Sequence, residues 1–113
     1  MEVFFKKRRL QEICSNRRKL IAEFGADNAK KIMLRLNEFV SVENLSQISE
    51  LPPPRRHELQ GERKEQFAVD VKQPFRIVFT AYHDPVPRKG DGSIDCERIT
   101  RVLILEVEDY HGK

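Results

Sequence analysis

A chain of 113 residues, 39% hydrophobic and 35% charged, has the size of one domain and enough apolar side chains for a single core under a charged surface. No stretch approaches the roughly 20 consecutive apolar residues of a membrane helix. The start, Met1 to Arg9, lacks the order of charge, apolar run and small-residue cleavage site that marks a secretion signal, so a cytoplasmic protein with no membrane association is expected.

The net charge of +3 conceals a lopsided distribution: residues 1–31 hold nine Lys or Arg against four acids, and residues 55–76 hold six against four. Such clustering fits a polyanion, nucleic acid first, or an acidic protein partner, and it also fits a plain solvated face. Cys14 and Cys96, with no C-x-x-C spacing, read as one packed and one loop cysteine.

Glu2 to Lys6 reads as a short strand. Helical spacing follows at Leu10, Ile13, Cys14, Leu20, Ile21 and Phe24, with Arg8, Arg9, Arg17, Arg18 and Lys19 between them, open to a polyanion or to solvent. Gly25 is the expected stop and Asp27 a candidate N-cap for the next helix. There Ala29, Ile32, Met33, Leu36, Phe39 and Val40 form one stripe at helical spacing and are expected in the core. A helical turn using Leu45 and Ile48 is expected before Pro52-Pro53-Pro54, which ends any helix and imposes an extended chain.

Beyond the prolines the period switches to two. Phe67, Val69 and Val71 alternate with polar or small residues, Gln73-Pro74 turns the chain, and Phe75, Ile77 and Phe79 alternate with Arg76, Val78 and Thr80. Residues 83–97 form a polar loop in which His83 is unremarkable, and a last strand runs from about Ile99 to Tyr110. The expected class is α+β, one domain over residues 1–113: an N-terminal strand, two helices, then a mostly antiparallel sheet of three to four strands with the helices on one face. Helices on one face leave the other open. If Phe75, Ile77 and Phe79 face the helices, Arg76 stands mid-sheet on the open side, where a guanidinium can receive a phosphate or pair with Asp70 or Glu106. The closing Asp109-Tyr110-His111 sets an acid, a phenol and an imidazole at the end of a strand, which points to a site.

Four segments, His57-Glu-Leu-Gln-Gly61, Phe67-Ala-Val-Asp-Val71, Pro74-Phe-Arg-Ile-Val-Phe79 and Glu108-Asp-Tyr-His111, resemble the killer toxins of plasmid-maintenance toxin–antitoxin systems, and within them the HigB branch of the RelE/ParE superfamily. The resemblance spans essentially the whole chain. It implies a ribosome-dependent endoribonuclease that cuts messenger RNA without a metal or other cofactor and is silenced by a helix-turn-helix antitoxin. It also implies catalytic roles for His57, Arg76, Asp109 and His111. His111 would transfer protons, with His57 as second proton handler or RNA orienter. Arg76 would stabilise the scissile phosphate, and Asp109 would orient an imidazole or act as base. Family members carry a lysine at the position of Gln60. Glutamine brings no charge, so Arg56, Arg63 or Lys64 would have to compensate in binding RNA, or cleavage is slow or lost. Tyr110 would pack in the core or stack on a base.

Two other functions compete with this one. A non-catalytic inhibitor of DNA gyrase, as in the ParE branch, would need no acid–base groups. A sheet-based RNA-binding module would need paired exposed aromatics on its strands, and none is evident in the sequence.

Overall fold

The computed structural model describes residues 1–110 as an α+β fold. Strand β1 (Glu2–Phe5) leads into helices α1 (Arg8–Cys14), α2 (Arg17–Phe24) and α3 (Ala26–Ser41). Strands β2 (His57–Glu58), β3 (Gln66–Asp70), β4 (Phe75–Ala81) and β5 (Arg101–Asp109) follow. The strand order is β1-β5-β4-β3-β2, with β1 parallel to β5 and the other pairs antiparallel. Four strands follow the helices, within the three to four expected, and the N-terminal strand joins them to make a sheet of five. Among the described residues no helix is long and apolar enough to cross a membrane.

The first helical segment is two helices, not one. Asn16 interrupts it: its side chain accepts from the Lys19 N–H at 3.1 Å and so caps α2, satisfying a donor that an uninterrupted helix would have bonded internally. Gly25 does stop α2, and with φ +84° it adopts a conformation that would strain any other residue. It is also the N-cap of α3, so Asp27 lies in the first helical turn, where a carboxylate complements the helix dipole, and does not cap it.

α3 lies on one face of the sheet. Ile32 and Phe39 are fully buried, and Phe39 meets Phe79 edge-on at 4.9 Å between ring centroids. Phe79 in turn stacks with Phe67 at 5.7 Å. The stripe is rotated from the expected one: Met33 is 38% and Val40 59% exposed, whereas Asn28 and Arg35 are buried. Those two polar residues fasten the helix to the β3–β4 turn. Arg35 Nε donates to the Asp70 carbonyl at 2.9 Å, and Asn28 Oδ1 accepts from the Lys72 N–H at 3.1 Å. Apolar stripe and polar anchors share a face, so the more outward Met33 and Val40 are left in water.

A 3-10 turn at Leu45–Gln47, capped by Asn44, buries Leu45 and Ile48 as expected. The 83–97 loop is tied down: Ile94 is buried, and Arg88 bonds Glu65 from across the sheet edge.

The helix-free face of the sheet carries a small apolar cluster of Leu59, Ala68 and Val78 with Leu105 against it. A β-bulge governs what appears there. Val78 pairs with Glu106 but Phe79 with Ile104, so Leu105 is an extra residue and the in–out parity of β5 inverts at it. Val102 and Ile104 face the helices before the bulge and Val107 after it.

Candidate functional site

Strand register assembles a row of charge on the open face. Asp70, Arg76 and Glu108 are direct cross-strand neighbours on β3, β4 and β5. Arg76 turns toward Glu108: its Nε donates to Oε2 at 2.7 Å and Nη2 approaches the same oxygen at 2.7 Å. Neither Asp70 nor Glu106, the two carboxylates expected from sequence, is its partner. Asp70 is engaged by a bidentate pair from Arg55, at 2.6 Å from Nε and 2.9 Å from Nη2. Arg55 itself has φ +48°, a rare conformation for a residue with a Cβ.

Arg63 completes the network. The 3-10 turn Gly61–Arg63 brings it over the sheet, where Nη1 donates to both oxygens of Glu108 at 2.8 and 2.9 Å. Its Nη2 reaches Glu106 at 2.7 Å and its Nε the Gln66 side chain at 3.1 Å. Tyr110 lays its ring over the Arg76 guanidinium, 4.7 Å from the centroid, and its hydroxyl donates to Gln73 Oε1 at 3.2 Å. Tyr110 thus stacks on the arginine, as a third surface holding it, and is not part of the core.

Glu108 is drawn two ways. Burial raises its pKa, but hydrogen bonds and charge from Arg63 and Arg76 outweigh that and hold the carboxyl below its usual range. The hydrogen bond to Glu108 raises Arg63, and that to Asp70 raises Arg55, in each case against desolvation. The face therefore presents three permanently charged guanidinium groups whose positions are fixed by three carboxylates.

His57 lies on the same face, one residue row away, opposite Ala68 on edge strand β2. Its Nδ1 is 2.8 Å from the Arg55 carbonyl. A carbonyl only accepts, so Nδ1 carries the proton and Nε2 is the basic nitrogen of the neutral ring.

The other expected residues divide. Arg56 is drawn inward: it is buried, with Nε donating to the Ile48 carbonyl at 2.8 Å and Nη1 3.5 Å from Cys96 Sγ, so it anchors the chain after the prolines and does not join the cluster. Gln60 and Lys64 are exposed at the two ends of the Gly61–Arg63 turn. Asp109 pairs with Phe75, whose ring packs toward the helices, and so belongs to the face opposite Arg76. The acid that the strand presents to Arg76 is Glu108. His111 lies outside the described residues. Glu108 and Arg55 were not singled out from sequence, and Asp70 and Glu106 were named there only as alternative partners of Arg76. The opposite parity of Val102-x-Ile104 and Val107 was the signal of a bulge that would have found the two glutamates. Among the described residues no group of three or more His, Cys, Asp or Glu side chains could hold a metal ion.

No family model matches this sequence, and no curated protein is detectably similar to it. Its three-dimensional structure is similar to that of a YoeB/ParE toxin from Agrobacterium tumefaciens, with a TM-score of 0.55 over 96% of this chain and 98% of that one at 10% sequence identity. The shared property is the fold: helices on one face of a mixed five-stranded sheet, of the RelE/ParE type.

Proposed function

We propose that the protein is the toxin of a toxin–antitoxin pair and that it arrests growth by cutting messenger RNA on the ribosome, on the uncovered face of its sheet. The observation that carries this reading is Arg76. Its guanidinium stands mid-sheet, 15% exposed, clamped by Glu108 and Tyr110 with Arg63 on the same carboxylate. A structural ion pair needs only one arginine. Arg76 and Arg63 converge on Glu108 beside an open surface, so a phosphate displacing that carboxylate would meet both guanidinium groups.

The chemistry available is transesterification. The 2′-oxygen, losing its proton to a base, attacks the adjacent phosphorus, and the 5′-oxygen leaves and takes up a proton, yielding a 2′,3′-cyclic phosphate and a 5′-hydroxyl. Arg76 and Arg63 face the charge that gathers on the phosphoryl oxygens. His57 Nε2 and the imidazole of His111 are the candidate proton carriers, Gln60 and Lys64 the candidate RNA contacts on the adjoining turn, and no metal takes part. Asp109, on the other face, serves in this scheme only through the strand end that leads to His111. The partner would be a helix-turn-helix antitoxin, and the exposed basic residues of α1 and α2 would contact the ribosome.

The balance of charge favours one second reading. Each guanidinium of the cluster is already matched by a carboxylate and Gln60 adds no charge, which suits a non-catalytic inhibitor of DNA gyrase. Induction followed by mapping of transcript 5′ ends and of plasmid supercoiling separates the two. New mRNA ends within minutes, lost in Arg76→Ala with the fold intact, support cleavage. Altered supercoiling without new ends supports the inhibitor.

A further inference from the structure

The open face extends well beyond the arginine cluster. Register carries it from Arg76 along β4 to Thr80, across to Leu103 on β5 and on to Phe4 on β1. Val3 and Phe5, the neighbours of Phe4, pack toward the helices, so Phe4 projects on the same side as Arg76. Tyr82 follows β4 in the same alternation, its N–H bonded to the Arg101 carbonyl at 2.9 Å. The two rings meet at 5.2 Å between centroids with a 57° tilt, yet Phe4 remains 39% and Tyr82 48% exposed. Together with His83, Asp84 and Arg101 they line a depression of about 430 Å³.

Exposed aromatic pairs on a sheet are costly in water unless something covers them, and this one is built, not incidental. His83 Nε2 accepts the N–H groups of both Thr100 and Arg101, at 3.0 and 3.3 Å, and so fixes the chain that presents Arg101. Burial first, then the charge of Arg101, lowers the His83 pKa and keeps that nitrogen an acceptor. Between this end and Arg76 lie Lys6 and Lys7, which share a second depression with Arg63, Gln66, Leu105 and Glu106. Two acids, Glu2 and Asp84, flank the aromatic end; along the path between the two ends Glu106 is paired with Arg63, which leaves Lys6 and Lys7 in excess.

We propose that Phe4, Tyr82 and Arg101 form a base-stacking subsite for single-stranded RNA, on the same sheet face as the Arg76 cluster and about 20 Å from it along β4. Lys6 and Lys7 would follow the phosphates between the two ends. The proposal rests on the reading of the protein as an RNA-cleaving toxin and names where a second part of its substrate is held. A tilted ring pair leaves one aromatic face open to a base, and a planar guanidinium beside it stacks or bonds a phosphate, which is how unpaired bases are gripped without reading their edges. No local pattern signals the pair, because the two rings are brought together only through β5.

The test is binding of the full chain to a fluorescein-labelled single-stranded RNA of about eight nucleotides. Every ribose is 2′-O-methylated, which removes the nucleophile and separates binding from cleavage. Tyr82→Ala is expected to weaken binding about tenfold, within the range of a single lost stack, Arg101→Ala less, and Tyr82→Phe hardly at all. A 2-aminopurine in the strand should be quenched by the wild type and by Tyr82→Phe but not by Tyr82→Ala. Unchanged affinity and quenching in both Tyr82→Ala and Phe4→Ala would overturn the subsite. So would a concentration-dependent dimer in sedimentation that Tyr82→Ala abolishes, since the patch would then belong to a second copy of the chain. Failure of the cleavage reading shows separately, as absence of new mRNA ends whatever the anisotropy reports.

Discussion

The two faces of the sheet are built from the same strands and obey opposite rules. Toward the helices, β4 sends Ile77 and Phe79, fully buried against Ile32 and Phe39, and any loss there is a loss of packing. Away from the helices the same strand sends Arg76 and Val78, and around Arg76 six charged side chains from five segments of chain form two hydrogen-bonded groups, Arg55 with Asp70, and Arg76 and Arg63 with Glu108 and Glu106. Apolar burial stabilises without specifying direction, whereas ion pairs of this kind contribute little net stability and fix direction closely. The helix face therefore holds the fold, and the open face holds guanidinium groups at set positions while leaving them reachable.

Substitutions on the two faces should separate stability from activity. Phe79→Ala is expected to cost about 3–5 kcal/mol in urea unfolding, the usual range for removing a buried aromatic ring, and to abolish growth arrest by removing folded protein. Arg76→Ala should lower the rate at which new transcript ends appear by about 10²–10³, the scale of a lost transition-state donor, while the circular dichroism spectrum stays that of the parent. A shared fate for both variants, with Arg76→Ala unfolded, would erase the distinction between the faces.

Acid should probe the open face selectively. Glu108 has a folded-state pKa below its unfolded one, so its contribution is complete above the ordinary glutamate range and is lost as pH falls through the depressed value. Glu108→Gln should therefore flatten the acid limb of a stability-versus-pH curve and leave Arg76 less well placed, with cleavage reduced more than stability at neutral pH. An acid limb as steep as the parent's would show that Glu108 is not the group that titrates.

The smallest effect tests the helix. Met33→Ala should change stability by less than about 0.5 kcal/mol, against about 2–5 kcal/mol for Ile32→Ala beside it, because only the second side chain is buried.

That last contrast marks where sequence reading stopped. The strand alternation of β4 was legible because Phe75, Ile77 and Phe79 have no polar competitor, and it put Arg76 on the open side correctly. The α3 stripe was misread because hydrophobicity alone ranked Met33 and Val40 above Asn28 and Arg35. The helix is oriented by hydrogen bonds from those polar residues to the β3–β4 turn, partners far away in sequence. The bulge at Leu105 had a comparable effect on the site. Without the extra residue β5 would have set Val107 opposite Arg76 and put Asp109 on the same face; with it, Glu108 stands opposite instead. Arg56 and Arg55 are adjacent basic residues that no pattern distinguishes, yet one is buried against Ile48 and Cys96 and the other pairs with Asp70. Element positions came from local periodicity, whereas the identity of the charged partners depended on register.

The most direct test of the open face is transcript 5′-end mapping in cells induced for the wild type and for Arg76→Ala at equal levels of folded protein. New ends with the wild type and a background pattern with the variant are the predicted result. The same ends at the same rate from both proteins would contradict the assignment of the phosphate to Arg76, and with it the functional role given to this face.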